Sequence, residues 1–160
     1  MKKTICLLII CFASLFNPLS SHAQEIYNEV VNIMNKAKTV KFDKQKSLQE
    51  RKIATFKYDA IYYLLLKGSQ SDTFTERELG EQVSAMLDFL TLYVSRLSAE
   101  TKKSRREVII AQFKKYTIEN ALFHDMDKEV VYGYVDNENF ITQFSLDTNW
   151  VNALAAAQNK

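Results

Sequence analysis

Thr75 to Leu97 reads TERELGEQVSAMLDFLTLYVSRL, and this stretch decides the fold. Thr75 and Glu78 stand at the spacing of a capping box, in which the hydroxyl accepts from the amide three residues on and the carboxylate reaches back to the cap amide. Behind it Leu79, Val83, Met86, Leu90, Val94 and Leu97 recur at steps of three and four, laying one apolar stripe along an α-helix. A stripe of that length predicts the central helix of a core.

Working outward toward the N-terminus, Ile53, Phe56, Ala60, Ile61 and Leu64 mark another helical stripe that ends at Gly68, a natural stop, with 69–72 as a loop. Ile26, Val30, Ile33, Met34 and Ala37 mark a first helix from Glu25, separated from the next by the lysine-rich stretch Lys38 to Ser47 with its isolated Phe42. On the other side, Ser104-Arg105-Arg106-Glu107 offers a second capping box ahead of Ile109, Phe113 and Tyr116, with Ile110 or Thr117 on the flanking rows. The link from Ser98 to Lys103 is short, so these two helices are expected to be antiparallel neighbours. Asp147 or Thr148 then caps a last helix holding Trp150, Val151 and Leu154. The expected fold is mainly α, a small antiparallel helical bundle forming one domain over 24–160.

The stretch 130–144 stays open between two forms. Val130 to Val135 and Phe140 to Phe144 around Asp136-Asn137-Glu138-Asn139 suit a β-hairpin, which would make the fold α+β. Equally, Asp127 suits the cap of a short helix from Lys128 to Val135, followed by an extended arm.

The first 23 residues read as a cleaved signal peptide. Met1-Lys2-Lys3 is a basic start, Ile5 to Phe16 is a charge-free apolar run too short to span a bilayer, and Ser21-His22-Ala23 places small residues for cleavage before Gln24. Cys11 follows the bulky Ile10, against a lipid anchor, and both cysteines, Cys6 and Cys11, leave with the leader. The mature chain is therefore expected in the periplasm or outside the cell, without a transmembrane anchor, a disulfide or thiolate chemistry. Loss of Lys2 and Lys3 leaves 19 basic residues against 19 acidic ones, so net charge gives no warrant for nucleic acid as a partner, and an exported location argues further against it.

Within that balance the charges segregate. Lys36 to Lys57 carries a local net charge of +6 and Lys102 to Lys115 one of +5, whereas Asp72 to Asp88 carries −4 and Glu119 to Asp147 carries −6. The densest basic cluster, Lys102, Lys103, Arg105 and Arg106, has no bulky apolar residue within it and reads as an electrostatic surface site. Tyr62 and Tyr63 fall partly off the second stripe, where tyrosines stack on sugar rings or anchor interfaces when exposed and fill the core margin when not.

Catalytic chemistry has less to stand on. His124, Asp125, Asp127 and Glu129 are the one cluster suited to a divalent ion or an acid/base pair, yet a lone histidine without cysteine does not make an ordinary zinc site. A calcium loop starting at Asp125 fails at its sixth position, which is Val130 and not glycine. No Gly-x-Ser-x-Gly elbow or phosphate-cradling glycine loop is present, and no cofactor is implied.

DMDKE at 125–129, ITQFSLDTNW at 141–150, the preceding helical hairpin and the Ala23-Gln24 junction together give a resemblance. The chain is similar to a family of small uncharacterised secreted proteins from Bacteroidetes. The resemblance implies a secreted or envelope location and assigns no residue a role. The expected function is that of a non-enzymatic exported binding or accessory module of the cell envelope, whose partner is an anionic polymer, lipid headgroups or another envelope protein. The alternative is a carboxylate-based hydrolase or lyase acting on an envelope or dietary polymer at His124 to Glu129.

Overall fold

A computed structural model describes residues 21–70, 74–118, 146 and 148–159 of the chain. Among these residues it is a helical bundle of five α-helices: α1 (Ser21–Phe42), α2 (Leu48–Gln70), α3 (Glu76–Ala99), α4 (Lys103–Ile118) and α5 (Trp150–Gln158). The stretch 130–144, with its choice between hairpin and helix, lies outside the described residues.

The α3 helix is the hub, since it packs on each of the other four, with α1 and α2 on one side and α4 and α5 on the other. Side-chain contacts fix the directions. Ile26 lies against Gly80, so α1 runs parallel to α3, and the two close in because Gly80 has no side chain: a Cβ there would meet Ile26 Cγ2 at 2.9 Å. Phe89 and Tyr93 meet Phe113 with ring centroids 5.0 and 5.1 Å apart, and Arg106 reaches Leu97, so α4 runs antiparallel. Gln82 contacts Asn149 and Arg96 contacts Ala157, so α5 again runs parallel to α3.

The stripe of α3 is buried as its spacing predicts, with Met86 wholly enclosed and only Val94 left half-buried, and Phe89 and Tyr93, which the stripe did not include, are buried beside it. The capping box forms in full: Thr75 Oγ1 accepts from the Glu78 amide at 3.2 Å, and the Thr75 amide donates to Glu78 Oε2 at 2.6 Å. The Thr75 amide, and the Thr75 hydroxyl that donates to the same Oε2 at 2.9 Å, stabilise the anion and hold the Glu78 carboxyl below its ordinary value. An equivalent box caps α2, where the Ser47 amide donates to Glu50 Oε2 at 2.9 Å and Ser47 Oγ accepts from the Glu50 amide at 3.2 Å. Ser47-Leu48-Gln49-Glu50 has the required spacing, and the lysines around it hide the signal in a stretch that otherwise resembles a long loop.

Four local expectations need correction. The α1 helix extends to Phe42, through residues expected to be a polar link, because Lys41 pairs with Asp59 of α2 at 3.3 Å and Val40 packs half-buried. Gly68 does not stop α2, which continues to Gln70; the ring of Phe74 lies against the glycine, 2.8 Å from where a Cβ would sit. Ser104 does not cap α4, since the Arg105 and Arg106 amides both donate to the Lys102 carbonyl and Ser104 falls inside the first turn. The cap of α5 is Asn149, whose side chain accepts from the Asn152 amide at 3.1 Å, and Thr148 instead donates to the Thr117 carbonyl. Its buried face is therefore Trp150, Ala153 and Ala157, with Val151 exposed.

Tyr93 lies in the centre of α3, almost without exposure, and burial pushes its hydroxyl up from 10.0 to about 12 against the opposing pull of Arg106. The folded state thus holds the proton more tightly than the unfolded chain. Stability from this group is complete below pH 10 and is lost as pH rises from about 10 to about 12. Thermal melts across that window should show a steep fall in Tm, and Tyr93→Phe should flatten it; an unchanged alkaline limb in the variant would assign the fall to other groups.

Candidate functional site

The cluster picked out by sequence, Lys102 to Arg106, begins in the α3–α4 link and covers the first turn of α4. Its four cations do not share one fate. Arg106 turns inward and its Nη1 donates to the carbonyls of Leu97 and Glu100, the latter at 3.2 Å, so its charge closes the C-terminal end of α3. Arg105 pairs with Glu100 at 3.7 Å, and Lys103 faces Glu107 one turn on at 4.0 Å. Both remain exposed, as does Lys102, whose amide donates to Glu100 Oε1 at 2.9 Å. Three outward cations therefore remain for a partner.

The tyrosines also part ways. Tyr62 is 56% exposed and stands one turn from the exposed Leu66 on the outer face of α2. Tyr63 is half-buried against the core, with the Lys67 ammonium 5.4 Å from its ring centroid. Because α2 and α4 do not touch among the described residues, Tyr62 and the Lys102 cluster are not brought into one site. His124, Asp125, Asp127 and Glu129 lie outside the described residues. Among the described residues no group of three metal-ligating side chains converges.

What the fold does bring together is charge. The up-and-down course of α1 to α4 places the α1–α2 turn and the α3–α4 link at the same end of the bundle, flanking the C-terminal end of α3. Lys38, Lys44 and Lys46 thereby join Lys102, Lys103 and Arg105 at that end, all exposed. The turn is held by Asp43, whose carboxylate accepts from the Gln45 amide at 2.9 Å and whose carbonyl accepts from the Lys46 amide at 3.2 Å. Glu25, Glu29, Glu76, Glu78 and Glu81 lie toward the opposite end, where Arg77 is bonded to Glu81 at 2.8 Å. That bond raises the Arg77 guanidinium above its ordinary value. The α4 lysines Lys114 and Lys115 also lie toward that opposite end, so the polarity of the bundle is strong but incomplete.

A second feature is absent from the sequence expectations: a cleft of about 340 Å³ between α1 and α2, floored by Ile33, Ala37, Val40, Ile53 and Ala54. Ile33 and Ala37 read in sequence as ordinary core positions. The signal in the sequence is size alone, because Ala37 and Ala54 each offer one methyl group to the lining.

Fold and surface together define a small helical bundle with a basic end. No protein family, curated protein or solved structure matches the chain.

Proposed function

We propose that the chain is an exported, non-enzymatic binding module that engages an anionic component of the cell envelope through the basic end of its bundle. The observation that carries this reading is the gathering of two separated basic segments, the α1–α2 turn and the α3–α4 link, at one end of the fold. Exposed cations at one end attract polyanions and headgroups at long range and release them as salt screens the field. The basic start and small-residue exit of 1–23, and the resemblance to secreted Bacteroidetes proteins, support the exported location. Among the described residues no helix is long and apolar enough to cross a membrane.

The test is retention of the mature chain on anionic vesicles and on a sulfated polysaccharide resin. Replacing Lys38, Lys44, Lys102 and Lys103 with Gln should abolish retention at about 0.15 M salt, where the screening length is near 8 Å. Arg106 is left in place because it closes α3. Unchanged retention in a folded variant would overturn the basic-end reading.

A further inference from the structure

The cleft between α1 and α2 carries a second inference, which does not rest on the basic-end reading. Its lining is mostly apolar and includes Leu87 of α3. Ile33, Val40, Ile53 and Leu87 are only half-buried there, so among the described residues apolar surface is left uncovered where three helices meet. The reason is local: Ala37 and Ala54 are nearly enclosed, and each supplies only a single methyl group to the lining. At about 340 Å³ the space lies at the small end of the range for small-molecule sites, suited to one unbranched chain rather than a ring system or a paired tail.

The rim has the opposite chemistry. Lys36 from α1 and Lys46 and Lys57 from α2 and the turn before it edge the cleft, with Glu50 as the one carboxylate. Glu50 is answered three times, by the Ser47 amide at 2.9 Å, by the Ser47 hydroxyl at 2.8 Å and by Lys46 at 3.6 Å. Lys36 and Lys57 have no ion-pair partner among the described residues. Lysine lines apolar surface with its methylene stem while keeping its ammonium in water. Two such lysines, one from each helix, thus line an apolar cleft with positive charge that no carboxylate answers among the described residues.

We propose that this cleft binds a straight-chain aliphatic carboxylate, with the tail on Ile33, Ala37, Ile53 and Ala54 and the carboxylate between Lys36 and Lys57. The apolar floor selects the chain, and the two ammonium groups select the sign of the head group. A cationic amphiphile of equal length meets the same floor with repulsion at the rim.

Methyl NMR of the full mature chain tests this, with laurate added below its micelle concentration. The Ala37, Ala54, Ile33 and Ile53 methyl signals should shift and saturate, while dodecyltrimethylammonium at equal concentration leaves them in place. Lys36→Glu with Lys57→Glu should weaken laurate binding tenfold or more and leave the core methyl signals at Met86 and Leu90 unchanged. Val40→Trp, which fills the cleft from its edge, should abolish binding, and the charge variants keep the test decisive if that protein fails to fold. Absence of laurate-induced shifts at these methyls, or equal shifts from the cationic amphiphile, would overturn the proposal. Because these variants spare Lys38, Lys44, Lys102 and Lys103, failure here leaves vesicle retention intact, and failure of the basic-end reading leaves laurate binding intact.

Discussion

Trp150→Ala should lower stability by about 3–5 kcal/mol, the usual cost of truncating an enclosed aromatic. Trp150 is wholly buried and meets Phe56 and Phe89 edge-on, with ring centroids 5.9 and 5.5 Å away. It is thus the side chain that joins the α2, α3 and α5 contributions to the core. Phe89 in turn contacts Phe113 at 5.0 Å, so a cavity at Trp150 opens beside the aromatic chain that reaches α4. At roughly 2–4 °C per kcal/mol for a chain of this size, Tm should drop by about 6–20 °C. The neighbouring Val151→Ala is the control, since Val151 is 42% exposed and should change stability by less than about 0.5 kcal/mol. Equal losses in the two variants would refute the burial of the Trp150, Ala153 and Ala157 face. Trp150→Phe refines the experiment: the indole Nε1 is buried without a hydrogen-bond partner among the described residues, so losing it recovers part of the cost of the smaller ring.

Gln82→Leu is expected to cost about 1–3 kcal/mol although it replaces a polar residue in the core with an apolar one of similar size. Gln82 is buried in α3, and its amide holds the start of α5 with both ends: Oε1 accepts from the Trp150 amide at 2.6 Å and Nε2 donates to Asn149 Oδ1 at 3.2 Å. The first amides of a helix lack intrahelical acceptors, and here the buried Trp150 N–H is satisfied from another helix. Leucine leaves that donor buried and unpaired. It also removes the bond that orients Asn149 as the cap of α5. Chemical denaturation should show a lower midpoint, and hydrogen exchange should show faster opening of the Trp150 to Ala153 amides than of the α3 core. A midpoint equal to or above that of the parent chain would mean that hydrophobic gain outweighs the lost anchor, and that Gln82 does not dock α5.

Arg96 and Arg106 show a related use of polar side chains. Arg96 donates to the Ala157 carbonyl at 2.9 Å and lies over the Phe113 ring at 5.5 Å, so it ties the end of α5 to α3 and α4. Arg106 does the same for the end of α3. Each guanidinium meets the negative end of a helix dipole. Composition counts these residues as basic surface, and packing converts them into connectors.

The helices were legible because each carries its own local signal. The capping box at Thr75, the three-and-four spacing from Leu79 to Leu97 and the weaker stripes at Ile26, Ile53 and Ile109 depend on the geometry of one helix, which neighbouring sequence is enough to specify. The errors fall at helix ends. Gly68 reads as a stop until Phe74 packs on it, and Ser104 reads as a cap until Lys102 supplies the carbonyl two residues earlier. Val151 was legible only as one apolar residue among several, because a nine-residue helix rich in alanine does not reveal which face the bundle will take.

By itself, then, the sequence determined the class of fold, the positions of four of its five helical stripes, and the segregation of charge along the chain. Only the tertiary structure decided that the two basic segments meet at one end, that Arg106 is spent on a helix terminus while Lys102 and Lys103 face solvent, and that Ala37 and Ala54 leave a cleft between their helices. The division has one physical cause. A periodic stripe and a cap are properties of residues a few positions apart, whereas the neighbours of Gln82, Arg106 or Ala54 are set by helix directions and spacings that depend on every contact in the core at once.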